Sequence, residues 1–184
     1  MGAAGIQSLI DFIRKEHQPN YKIREHIAKA LSTAFILDPN IDHVIEMLFS
    51  MSNDRYPEVR KGCLISLDKL RAQAKDRVTY LKPRHLLPFF YQFLADQDNG
   101  VRKCALLCIR NFGAQGELLF IEGVTKDKNP VIRRECAYGL GEIGASTFRT
   151  LLLALHDSNR NVRNATGEAI VKGMSVKEIL GVFR

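Results

Sequence analysis

The chain has 184 residues, 46% of them hydrophobic and 26% charged, and a formal net charge of +7. That length and apolar content suit one cooperative array with ample polar surface. No stretch approaches the roughly 20 uninterrupted apolar residues that a membrane-spanning helix needs. The start, Met1-Gly2-Ala3-Ala4-Gly5-Ile6, lacks the charged segment and long apolar core of a secretory signal. It also places Ile6 where a myristoylation signal wants Ser or Thr, so the expectation is an intracellular protein, cytoplasmic or nuclear, with no membrane partner.

Apolar residues recurring every three or four positions predict helices along the whole chain. The first covers 6–16, with Leu9, Ile10, Phe12 and Ile13 inward. Pro19 and Asn20 break it before a helix over 21–35. Asp38-Pro39-Asn40 reads as a turn leading to helix 41–51. Pro57, at a first helical turn where a missing N–H costs nothing, opens a helix over 57–72. A basic, polar insertion follows over 72–85, then an aromatic-rich helix over 86–95 with Phe89, Phe90 and Phe93. Helices are expected at 100–112, 116–125, 130–143, 146–156, 160–173 and 176–183, with Pro130 again at a helix start.

These segments repeat. Aligned on Arg24, Arg60, Arg102, Arg133 and Arg163, each copy has a β-branched residue just before the arginine: Ile23, Val59, Val101, Ile132 or Val162. Six residues before the arginine stand Asp54, Asp96, Asp127 and Asp157, with Gln18 in the first copy. Six after it comes a small residue (Ala30, Ser66, Cys108, Gly139, Ala169), then a large aliphatic one (Leu31, Leu67, Ile109, Leu140, Ile170). The arginines are 36, 42, 31 and 30 residues apart, the range in which self-similarity signals stacked helical units. Each unit therefore reads as helix A, a turn containing Asp, and helix B.

The Asp, the Val/Ile-Arg pair, the small residue with its Leu or Ile, and the glycine after helix B (Gly113, Gly144) resemble the HEAT repeat, including its short lyase-type subclass. This resemblance implies an all-α, right-handed α-solenoid of about five helical hairpins plus a C-terminal helix. It would form a single array over 1–184, with repeats near 6–35, 41–72, 86–113, 116–144 and 146–173 and a terminal helix at 176–183. It further implies that Asp54, Arg60, Asp96, Arg102, Asp127, Arg133, Asp157 and Arg163 form a structural ladder linking successive units. Four copies of one pair argue the same way, since a catalytic site needs only one. Helix B would line the concave side.

With the third, sixth, seventh and tenth positions after the arginine inward, the first, fifth and eighth fall on the opposite face. First positions are Glu25, Lys61, Lys103, Arg134 and Asn164; fifth positions are Lys29, Ile65, Leu107, Tyr138 and Glu168. The candidate concave binding surface is Lys61, Ile65, Lys69, Lys103, Leu107, Arg110, Arg134, Tyr138 and Lys172, a row of cations beside a row of apolar side chains. It suits a protein or peptide with acidic and apolar groups, bound by a non-catalytic adaptor or scaffold. The basic excess is central: residues 51–95 carry 9 Lys or Arg against 4 Asp or Glu, which makes nucleic acid the alternative partner. Against sequence-specific nucleic-acid reading stand the absence of Trp and of a recognised binding motif.

No catalytic constellation emerges: there is no phosphate loop, nucleophile elbow or Cys-His nucleophile pattern. The expectation is a chain without catalysis, cofactor or metal, acting as a monomer or as a component of a larger complex. His17, His26, His43, His85 and His156 occupy unrelated repeat positions, and no His-Glu dipeptide occurs, as the di-iron HEAT-type hydroxylases would require. Cys63, Cys108 and Cys136 fall on inward helix B positions and read as small buried apolar residues, and Cys104 shares a helical face with Cys108.

Overall fold

The computed structural model describes Gly5, Ser8, Leu9, Asp11, Phe12 and residues 20–33, 41–74 and 78–173. Most of the helix expected over 6–16, the Asp38-Pro39-Asn40 turn, Lys75 and Arg77 of the insertion, and the helix expected over 176–183 lie outside the described residues. Among the described residues all regular structure is helical, without strands. The helices are α1 (Tyr21–Leu31), α2 (Ile41–Met51), α3 (Pro57–Ala74), α4 (Pro83–Gln92), α5 (Asn99–Arg110), α6 (Ala114–Lys126), α7 (Pro130–Ile143), α8 (Phe148–Ala154) and α9 (Arg160–Gly173). Short 3₁₀ turns stand at Thr79–Leu81, Phe93–Ala95 and Ala145–Thr147.

Local chemistry accounts for the helix starts. Asn20 and Asn129 cap α1 and α7 by accepting the N–H groups of Lys22 (3.0 Å) and Val131 (2.9 Å), and Asn159 accepts from Asn161 (2.9 Å) at the start of α9. Helix α4 begins three residues before the expected 86. Pro83 supplies a helical φ at the first turn, and the Lys82 carbonyl accepts from the N–H groups of His85 and Leu86. The basic insertion is correspondingly shorter, because α3 runs on to Ala74. Helix α8 starts later than the expected 146, since residues 145–147 wind as a 3₁₀ turn held by the Thr147 hydroxyl on the carbonyls of Leu140 and Gly144. Gly113 (φ 59°) and Gly144 (φ 102°), which follow α5 and α7, adopt the positive φ that a side chain disfavours, so the repeated glycine is a helix stop.

The chain divides into two compact units, one comprising 1–89 with 98–104 and the other 90–97 with 105–184, the division falling inside α4 and α5. In the first unit α3 packs against α1 and α2. Its core is Ile27 and Leu31 of α1, Val44, Ile45 and Leu48 of α2, and Val59, Cys63, Leu64, Leu67 and Leu70 of α3, all buried. Each such aliphatic side chain contributes about 1.5–3 kcal/mol when fully buried. Ser66, at the small position of its repeat, comes close enough to α1 for its hydroxyl to donate to the Ala28 carbonyl at 2.7 Å. Tyr21, at the start of α1, stacks on Tyr56, just before α3, with centroids 4.4 Å apart, and Phe49 of α2 meets Phe89 of α4 edge-on at 4.6 Å.

In the second unit α7 is central, packing against α6, α8 and α9. Phe120 and Val124 of α6, Ile132, Cys136 and Leu140 of α7, Phe148 and Leu151 of α8, and Val162 and Ala169 of α9 are buried. The approach of α9 to α7 is so close that a Cβ on Gly141 would lie 2.6 Å from the Ala169 Cβ and 2.9 Å from the Ala169 Cα and carbonyl oxygen. Small residues at this contact let two backbones meet where a larger side chain would hold them apart.

Candidate functional site

The repeated Asp and Arg form locks in the A–B turns. Arg60 Nη1 donates to the carbonyls of Asp54 (2.8 Å) and Arg55 (3.0 Å). Arg133 Nη1 does the same to Asp127 (2.9 Å) and Lys128 (3.1 Å), and Arg163 Nη1 to Asp157 (2.7 Å) and Ser158 (3.0 Å). The aspartates fold their own turns. Asp54, Asp127 and Asp157 accept the backbone N–H two residues on, from Tyr56 (2.9 Å), Asn129 (2.7 Å) and Asn159 (2.8 Å).

Two rungs then join successive repeats, one in each unit. Arg24 reaches Asp54 through Nε (2.6 Å) and Nη2 (3.0 Å), and Arg133 reaches Asp157 through Nε (2.7 Å) and Nη2 (2.9 Å). Both are fork-on-fork pairs, the strongest hydrogen-bonded geometry available to these groups. The Arg133 hydrogen bonds hold the Asp157 carboxyl below the usual carboxylate range against the opposing effect of burial. At Asp54 burial is the largest single influence and pushes upward, but the bonds from Arg24 and the Tyr56 N–H together overcome it and leave that carboxyl depressed too. Arg102 donates to Asn99 Oδ1 at 3.1 Å, and Gln18 lies outside the described residues. Asp127 has a partner that the repeat pattern did not announce: the Tyr91 hydroxyl donates to its Oδ2 at 2.9 Å. Burial, followed by the neighbouring Cys136 and Asp127, pushes the Tyr91 phenol well up. These bonds occupy the aspartates in folding and joining turns.

The face of helix B opposite the core was expected to be a row of cations beside a row of apolar side chains, and the units differ in how they fill it. In the first unit Ile65 is 41% exposed, Lys69 and Lys103 are exposed, and Lys61 is half-buried over Gly100. None of these three lysines enters an ion pair among the described residues. The start of α5 lies against Lys61: Cys104 Sγ is 3.9 Å from the Lys61 carbonyl, so Lys61 and Lys103 share one neighbourhood. In the second unit Leu107 is 46% exposed and Tyr138 half-buried, but the cations are paired. Arg134 clamps Glu135, whose side chain is 3% exposed, at 2.6 Å; Arg110 pairs with Glu142; and Lys172 stands 3.7 Å from Glu168, which also accepts from the Tyr138 hydroxyl at 3.2 Å. The second positions of the last four B helices, occupied by Gly62, Cys104, Glu135 and Ala165, are buried, whereas His26 in the first is exposed. A carboxylate at that place draws in the adjacent arginine, because an unpaired buried charge is costly.

All four cysteines are buried. Burial pushes the Cys63 thiol to about 12 and the Cys136 thiol higher still, so the thiolate that reacts with disulfide reagents is scarce at neutral pH. Ellman's reagent should therefore read well under one thiol per native chain at pH 7.5 and four after unfolding in guanidinium. Rapid native labelling of Cys63 or Cys136 would contradict this burial.

Helical hairpins joined by Asp-containing turns and stacked through small residues define a helical-repeat protein. A family model described as HEAT repeats matches residues 86–171, so that span is similar to HEAT repeats, and outside it Arg24, Asp54, Arg60 and Ser66 follow the same pattern. Among solved structures, one from work on TOG–tubulin binding specificity, microtubule dynamics and mitotic spindle formation is similar at TM-score 0.56 and 18% identity, over 92% of this chain and 70% of that one. An engineered protein is similar at TM-score 0.51 and 14% identity, over 92% and 78% respectively. At such identities the likeness is one of fold. No curated protein matches the chain. No described helix is long and apolar enough to cross a membrane.

Proposed function

We propose that the chain is an intracellular, non-catalytic protein-binding scaffold that captures an acidic partner surface on the solvent face of its B helices. The observation that carries this reading is exposed Ile65 with exposed Lys69 and Lys103 in the first unit, neither lysine in an ion pair among the described residues, and half-buried Lys61, which also acts on Glu25. An apolar anchor surrounded by cations gives contact area to a partner's aliphatic or aromatic group and steers the acids around it. The second unit, by itself, presents Leu107 and Tyr138 bordered by ion pairs, which suits a mixed-charge surface. The TOG neighbour shares this fold, and a protein partner is the class carried over from it, with tubulin one purified probe to try.

The test compares wild type with Lys69→Glu/Lys103→Glu, both sites exposed, and with Ile65→Ala. Partner capture, read by mass spectrometry with and without nuclease, should fall at least about tenfold in the charge-reversal variant, equivalent to roughly 1.4 kcal/mol. Far-UV circular dichroism and the urea midpoint should not change. Arg134→Glu is unsuitable for this purpose, because it would set a second carboxylate against buried Glu135 and destabilise the fold. Undiminished capture, or capture abolished by nuclease, would overturn the proposal.

A further inference from the structure

A second surface lies away from the one just described, where α3 gives way to α4. Tyr80, on the 3₁₀ turn, is 47% exposed, with its ring centroid 6.2 Å from that of His85 and tilted by 57°. Arg84 and His85 are exposed, and Lys82 is half-buried between them and the turn. Arg84 Nε donates to His85 Nε2 at 3.0 Å, so the imidazole accepts there and the rest of the guanidinium fork faces outward with no carboxylate among the described residues. No Asp or Glu occurs between Asp76 and Asp96, and Asp68 of α3 is held by Arg71 at 2.9 Å. The two cations, Lys82 and Arg84, repel one another with no carboxylate ion pair among the described residues, and an anion would relieve that repulsion.

We propose that Tyr80, Lys82, Arg84 and His85 form a binding surface for single-stranded nucleic acid. The guanidinium fork takes phosphate oxygens in the bidentate geometry it shares with carboxylates, and the ammonium supplies a second phosphate contact. The exposed phenol ring offers a face on which one base stacks, a contact indifferent to base identity. An acidic peptide or an anionic lipid surface would satisfy the cations and leave Tyr80 without a role. The paired arrangement of cations with an accessible aromatic face therefore favours a strand whose phosphates and bases alternate. This surface is independent of the protein-binding face, since it shares none of that face's residues.

The full-length chain is titrated into a fluorescein-labelled oligothymidine 20-mer, with anisotropy read from 50 to 300 mM salt. Tyr80→Leu should weaken binding about tenfold without altering the salt slope, whereas Tyr80→Phe should bind as wild type does. Arg84→Ala should weaken binding and make the slope shallower by about 0.7, the release expected for one phosphate contact on a single strand. Because Tyr80 is exposed, Tyr80→Leu should retain native circular dichroism; if it does not, Arg84→Ala and the Tyr80→Phe comparison carry the test. Wild-type affinity in Tyr80→Leu, or equal affinity for duplex DNA of the same charge or for vesicles rich in phosphatidylserine, would overturn the proposal.

Discussion

Replacing Asp157 by alanine should lower stability by about 2–3 kcal/mol, measured as a fall in the urea-unfolding free energy. The substitution removes both hydrogen bonds from Arg133, leaves a guanidinium only 13% exposed facing an empty position, and releases the Asn159 N–H that folds the turn. Asp157→Asn keeps an oxygen for that N–H and one for Arg133, so it should cost about 1 kcal/mol, the share that belongs to the charge. The pH dependence has a definite sign. The folded Asp157 carboxyl lies below its unfolded value, so its contribution is complete above the unfolded pKa of about 3.9 and disappears as pH falls through the folded one. The stability gap between wild type and Asp157→Ala should be flat from pH 7 to about 5 and close in more acidic solution. A gap that widened on acidification would mean the Arg133 bonds are not its source.

Gly141→Val should cost about 3 kcal/mol or more, despite the better helix propensity of valine. The added Cβ meets not only the Ala169 methyl but also its Cα and carbonyl oxygen, so no rotamer change clears the space and α9 itself must move from α7. Ala169→Gly should restore only part of the loss, because the backbone contacts at 2.9 Å remain. Gly167 sits on α9 with nothing within 4 Å of its would-be Cβ, and Gly167→Ala should stabilise by about 0.5–1 kcal/mol. Opposite signs at two helical glycines of one unit would separate close approach from intrinsic propensity. Equal effects at the two sites would contradict the packing described.

The helical content, the hairpin order and the limits of α2, α7 and α9 were legible in the sequence, because proline and asparagine mark helix starts through local chemistry that needs no partner. The outward placement of Ile65 and Leu107 followed from the helical period alone. Features that depend on which repeat lies alongside could not be read so directly. Cys104 and Glu135 occupy a position that a lone amphipathic helix would leave wet, yet both are buried, Cys104 with its Sγ 3.9 Å from the Lys61 carbonyl of the preceding repeat. The partners of Arg110 and Tyr138 come from another helix, and Arg134 turns to its neighbour Glu135 because that carboxylate is buried, so cations that looked available in the sequence are taken up within the fold. The basic character of the stretch around Lys82 and Arg84 was legible as charge, whereas the placing of Tyr80 beside His85 was not, because no periodicity guides the reading of the insertion.

Lysine footprinting of the chain alone and with its captured protein partner tests the central claim most directly. Brief acetylation followed by peptide mass spectrometry reports each ammonium separately. The proposed binding face predicts that Lys69 and Lys103 lose most of their reactivity in the complex, while Lys22, Lys126 and Lys128, exposed elsewhere on the fold, keep theirs. Protection of Lys126 and Lys128 with Lys69 and Lys103 still fully reactive would place the partner on another surface and contradict the account.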